Sequence, residues 1–115
     1  ADHNINHSQL DTELRLVIEA VINGLNRGCR EYHIQINPIV SCLRYRPDLS
    51  YKLIDLAFEY RDLRNNRCHI VGLDLFGGNE LRYHSRLHFN VFKKCKALGL
   101  NRTAHCGDSF SLKGL

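Results

Sequence analysis

Residues 34–43 and 69–77 each carry apolar side chains on both faces of an extended pattern, and each is followed by a helical one. A strand apolar on both sides needs cover on both sides, which is the situation of a central parallel strand. Ile34, Ile36, Ile39, Val40 and Leu43 define the first segment, with Pro38 marking an irregularity near its start. The second is nearly continuous around Asp74. Between them, Pro47 and Asp48 open a helix whose stripe is Leu49, Leu53, Leu56 and Tyr60. Parallel strands need such crossover helices, and this alternation supplies one between the two strands.

The same alternation extends in both directions. Upstream, Leu14, Val17, Ile18, Val21, Ile22 and Leu25 form one helical stripe, with Asp11 as the expected cap and Gly28 as the expected stop. Residues 1–8 are largely polar and residues 1–10 read as a frayed terminus, so the spaced pair His3 and His7 is given no metal role. Downstream, residues 62–67 read as a solvated loop and residues 81–98 as a third helix, with Leu87, Val91, Cys95 and Leu98 inward. His84 and His88 fall there beside Arg82 and Arg86, which suggests a solvated face. Gly99 ends that helix and Leu100 begins a third, buried strand. The order is α-β-α-β-α-β, with strands about 30 to 35 residues apart, the repeat of successive βα units. A (β/α)8 barrel and a doubly wound sheet both satisfy it.

Chemistry gathers where these strands end. His105 comes where the third strand should surface, Gly107 turns the backbone, and Asp108 supplies a carboxylate three residues after the imidazole. A neutral imidazole can ligate zinc, and a carboxylate nearby can trade protons with a metal-bound water. Gly77 and Gly78 after the second strand allow a backbone amide to approach a ligand closely. Asp74 inside that strand reads as a structural residue, since a buried aspartate is costly without hydrogen bonds.

These pieces together resemble the adenosine deaminase family. The family's G-x-D-L-x-G-x-E strand is similar to Gly72-Leu73-Asp74-Leu75-Phe76-Gly77-Gly78-Asn79-Glu80, and its T-x-H-A-G-E strand to Thr103-Ala104-His105-Cys106-Gly107-Asp108. Ile39 to Pro47 resembles the preceding strand, so the likeness runs from about Leu14 to Asp108. It implies α/β architecture as part of a TIM barrel, roughly the fourth to sixth strands, in one partial domain over residues 1–115. It implies a zinc hydrolase that deaminates adenosine or 2'-deoxyadenosine to the inosine nucleoside plus ammonia. His105 would then be a zinc ligand, Asp108 the proton-transfer carboxylate, and the Gly77 amide a purine anchor. Two departures stand out: Asp108 replaces the family's glutamate, and the Gly-Gly-Asn-Glu run is one residue longer than Gly-x-Glu.

The family's remaining zinc ligands have no counterpart here, so the chain alone is not expected to be competent. The alternative is a truncated or degenerate relative that binds partners without chemistry, and a weaker third reading is a free-standing α/β binding domain. The start at Ala1 and the absence of methionine suggest a piece of a longer protein. Its expected partners are a purine nucleoside and either the rest of its barrel or further copies of itself. At 43% hydrophobic and 24% charged the chain is globular, and no apolar run nears the roughly 18 residues of a membrane span. The net charge of +4 is scattered, which argues against nucleic acid as a partner. Five cysteines without a C-x-x-C pair, four of them (Cys42, Cys68, Cys95 and Cys106) at apolar positions, indicate reduced thiols and a cytoplasmic setting. The sequon at Asn101 opens a strand expected to be buried and reads as coincidence.

Overall fold

The computed structural model describes residues 6–61 and 68–108; His3 and the expected loop 62–67 lie outside them. The elements are α1 (His7–Tyr32), β1 (Ile39–Leu43), α2 (Pro47–Glu59), β2 (Gly72–Phe76), a 3-10 turn (Ser85–His88), α3 (Phe89–Ala97) and β3 (Asn101–Arg102). The strands form one parallel sheet in the order β1-β2-β3. The expected α-β-α-β-α-β alternation therefore holds.

Helix α1 is longer at both ends than the apolar stripe suggested. Asn6, not Asp11, caps it, with Oδ1 accepting the Ser8 amide at 3.0 Å. Residues 7–10, read as frayed, are helical. Asp11 instead reaches Arg15 at 2.6 Å and Lys52 at 3.0 Å, and Arg15 also meets Glu59 at 2.5 Å, tying α1 to α2. Gly28 lies inside the helix, which ends at His33 in the left-handed conformation at φ 53°. Burial of Cys29 on the same face carries the helix past the glycine.

The strands are shorter than their apolar runs. Pro38 has no amide to give the ladder, and its carbonyl instead accepts from Val71 at 3.0 Å just before β1 begins. In register, Val40 and Cys42 pair with Leu73 and Leu75, and Ser41 pairs with Asp74. Cys42, Leu73 and Leu75 are buried in the core with Leu53, Ile54, Leu56, Ala57, Val91 and Cys95. Strand alternation puts Ile39, Ser41 and Asp74 on the opposite face. Ile39 is 49% exposed there, so β1 is covered on one side only, against expectation.

The third helical segment is interrupted. Asn79 Oδ1 accepts the Leu81 amide at 2.8 Å, and its carbonyl accepts the Tyr83 amide at 2.8 Å. This local turn competes with helix over residues 80–83. His84 Nδ1 then accepts the Arg86 amide at 3.1 Å and starts the 3-10 turn. Leu87, assigned to the inward stripe, is exposed, whereas Val91 and Cys95 are buried as expected. His88, assigned to solvent, is 1% exposed.

β3 runs along the sheet edge, and residues 101–108 are exposed rather than buried. Its ladder extends beyond Arg102: the Thr103 amide reaches the Leu73 carbonyl at 2.9 Å and the His105 amide reaches that of Leu75 at 2.8 Å. The Asn101 side-chain amide donates to the Val71 carbonyl at 3.0 Å, so engagement, not burial, weighs against use of the sequon. Gly72 is required where β2 and β3 meet, because a Cβ there would stand 2.8 Å from the Asn101 carbonyl oxygen. Among the described residues no helix is long and apolar enough to cross a membrane.

Candidate functional site

The sheet face that no helix covers holds an open concavity of about 470 Å³, lined by Ile39, Ser41, Asp74, Thr103, Ala104, His105 and Cys106. Polar side chains reach it from all three strands, because the register sets Ser41 beside Asp74 and the continued β3 ladder sets His105 one step beyond.

Asp74 organises this face. It is 5% exposed, and its Oδ2 lies 2.9 Å from His105 Nδ1 and 3.3 Å from Ser41 Oγ. A carboxylate at Nδ1 favours the tautomer with the proton there, which leaves Nε2 as the bare nitrogen with a free lone pair. His105 itself is 59% exposed, so its free edge faces open space. Asp74 Oδ1 is buried and has no hydrogen-bond partner among the described residues. The expectation of a hydrogen-bonded structural aspartate is thus half met. Its satisfied oxygen faces both His105 and Ser41.

The backbone around His105 is held from two sides. The Arg44 guanidinium, buried at the end of β1, donates to the His105 carbonyl. Arg44 is itself fixed by its amide to the Phe76 carbonyl at 3.0 Å and by its carbonyl, which lies 3.0 Å from His88 Nε2. His88 Nδ1 meets Ser50 Oγ at 2.8 Å. With Nε2 on a carbonyl and Nδ1 on a hydroxyl, both ring nitrogens of His88 have partners inside the core. On the other side, the buried Glu80 accepts the amides of Gly107 at 3.2 Å and Asp108 at 2.7 Å.

The structure thus places two of the three expected site residues on one stretch, His105 at the concavity and Asp108 three residues on, with an exposed side chain. Gly77 lies at the end of β2, where its φ of 80° turns the chain out of the strand. Cys106, expected in an apolar setting, is exposed and lines the concavity. Sequence reasoning missed His88, although it stands three residues before Val91 and seven before Cys95 on the buried face. It also assigned no task to Arg44 or Glu80, whose signal was charge beside a strand end.

Zinc fits His105 as a single ligand. Among the described residues no group of three or more His, Cys, Asp or Glu side chains could hold a metal ion. The other ligands of any such ion would therefore have to come from elsewhere.

A family model described as Adenosine deaminase matches residues 3–115. Among curated proteins, the chain is 31% identical over 93 residues to an adenosine deaminase of Gallus gallus, covering 81% of this chain and 24% of that protein. It is 34% identical over 93 residues to one of Shewanella loihica, covering 81% and 26%. With one of Bos taurus it shares 27% over 94 residues, covering 80% and 24%. The chain spans about a quarter of the length of the curated relatives it matches.

Proposed function

Because the chain belongs to the adenosine deaminase family, we propose that it forms the fourth to sixth strands of a (β/α)8 barrel that hydrolyses adenosine or 2'-deoxyadenosine with zinc. The uncovered sheet face would then be the barrel interior, and the strand ends carrying Arg44, Gly77 and His105 would be the face where barrel active sites form. The observation that carries this reading is the 2.9 Å contact between Asp74 Oδ2 and His105 Nδ1. It prepares Nε2 to ligate a metal before any metal arrives.

Zinc, when bound, supplies a Lewis acid that makes water a nucleophile near neutral pH. His105 holds one coordination position. Asp108 moves a proton to the purine ring nitrogen, and the Gly77 amide anchors the purine. Four buried free thiols suit a reducing compartment.

Asp108 also favours a second reading, a relative that has lost its chemistry. A general acid must lie within roughly 2.6 to 3.2 Å of the group it protonates. Aspartate is one methylene shorter than glutamate, about 1.5 Å of reach. A misplacement of that order can cost about a hundredfold in rate.

The test uses the full chain as it occurs naturally, assayed for adenosine deamination and bound zinc. His105→Ala should lose both, and Asp108→Glu should raise turnover with zinc unchanged. Robust activity that Asp108→Glu leaves alone or lowers would mean the backbone already suits aspartate. Full zinc with no turnover in either form would favour the second reading.

A further inference from the structure

We propose that Glu80 is a positioning residue that sets the place of Asp108 through the backbone. The inference rests on the reading of Asp108 as the proton-transfer carboxylate. Glu80 sits in the turn after β2 and is 6% exposed. A carboxylate so buried is costly unless its oxygens are met by donors. Here the two oxygens take consecutive amides, Oε2 that of Gly107 at 3.2 Å and Oε1 that of Asp108 at 2.7 Å. Gly107 at φ 84° lets successive amides converge on one anion, the geometry of a backbone nest.

This grip differs from a single hydrogen bond. Two acceptors on a rigid carboxylate hold the peptide units on both sides of Gly107, and so fix the orientation of the one that leads into Asp108. That orientation sets where the Asp108 Cα–Cβ bond points. Charge-assisted bonds of this kind are roughly twice as strong as neutral ones. The Arg44 guanidinium holds the His105 carbonyl at the other end of the same short stretch. Residues 105–108 are therefore clamped at both ends by buried charged side chains from the ends of β1 and β2. Proton transfer depends on placement to within about 1 Å, so the clamp acts on rate rather than on substrate affinity.

The experiment compares Glu80→Gln and Glu80→Asp in the full natural chain. It measures kcat, KM, bound zinc and the amide proton shifts of Gly107 and Asp108. Glutamine keeps the shape but turns one acceptor into a donor, and aspartate keeps the charge but shortens the reach. Both should lower kcat by about 10- to 100-fold with KM and zinc unchanged, and both should move the two amide resonances upfield. Wild-type kcat in Glu80→Asp would show that charge, not position, matters, and would overturn the proposal. Unmoved amides, or unaltered kcat in both variants, would also overturn it. So would parallel loss of zinc, turnover and cooperative unfolding, the mark of a merely structural role. Turnover that is insensitive to Asp108→Asn, or absent from the wild type, defeats the reading of Asp108 instead. The proposal then falls with it even where the amides shift.

Discussion

Cys106 stands beside His105 where the family pattern has alanine, and it differs from the other four thiols of the chain. Cys29, Cys42, Cys68 and Cys95 are buried, and burial pushes the Cys42 thiol up to about 11. Burial raises Cys68 and Cys95 as well. The thiolate is the reactive form, so Cys42, Cys68 and Cys95 are both shielded and protonated near neutral pH, and Cys29 is shielded by its burial. We predict that a thiol-alkylating reagent labels Cys106 first in the native protein and the other four only after denaturation. Peptide mapping by mass checks this, and early labelling of Cys42 or Cys95 would contradict the packing described. At this scale the sequence was most legible where chemistry and spacing coincide. His105, Gly107 and Asp108 draw attention by type and order, and the structure sets His105 at the concavity with Asp108 exposed beyond it. His88 did not, because flanking arginines implied solvent while its partners, Ser50 and the Arg44 carbonyl, come from distant parts of the chain.

Elements were legible in kind and order but not in extent. Apolar period located α1, α2, β1 and β2, because burial on a shared face leaves a periodic trace, whereas the exposed β3 was placed only by the Gly99 stop before it. The ends are set by local hydrogen bonds, such as Asn6 on Ser8 and Asn79 on Leu81, which leave no such trace. Two glycines test this distinction. Gly24 lies within α1, where a Cβ would meet nothing within 4 Å. Gly24→Ala should stabilise the protein by about 0.5–1 kcal/mol, by removing the entropic cost of glycine in a helix. Gly72→Ala forces its Cβ against the Asn101 carbonyl oxygen at 2.8 Å and should destabilise by about 1–3 kcal/mol. It should also push β3, and with it His105, away from Asp74. Urea midpoints of the two variants give the signs. A neutral Gly72→Ala would mean that β2 and β3 are not held this close.

On the scale of the whole molecule, the folded core lies on one side of a three-stranded sheet, and the other side bears the candidate chemistry. The radius of gyration is 15.5 Å, against about 13 Å for a compact domain near this length. β1 and β3 both end the sheet, and each presents a backbone edge able to pair with another strand. Exposed apolar side chains accompany those edges, among them Ile39 at 49% on the open face and Phe89 at 64% at the start of α3. Edges and apolar surface of this kind drive association. The metal ledger points the same way. Zinc held firmly in a catalytic site takes three protein ligands, and the described residues bring His105 without two companions. We therefore predict that the 115-residue chain, produced alone, self-associates in light scattering and retains far less than one zinc per chain after dialysis. Sedimentation and metal analysis on the same sample separate the outcomes. A monodisperse monomer that unfolds cooperatively would favour a free-standing domain over a barrel segment. Stoichiometric zinc would mean that further ligands assemble around His105, as they would across an interface between copies.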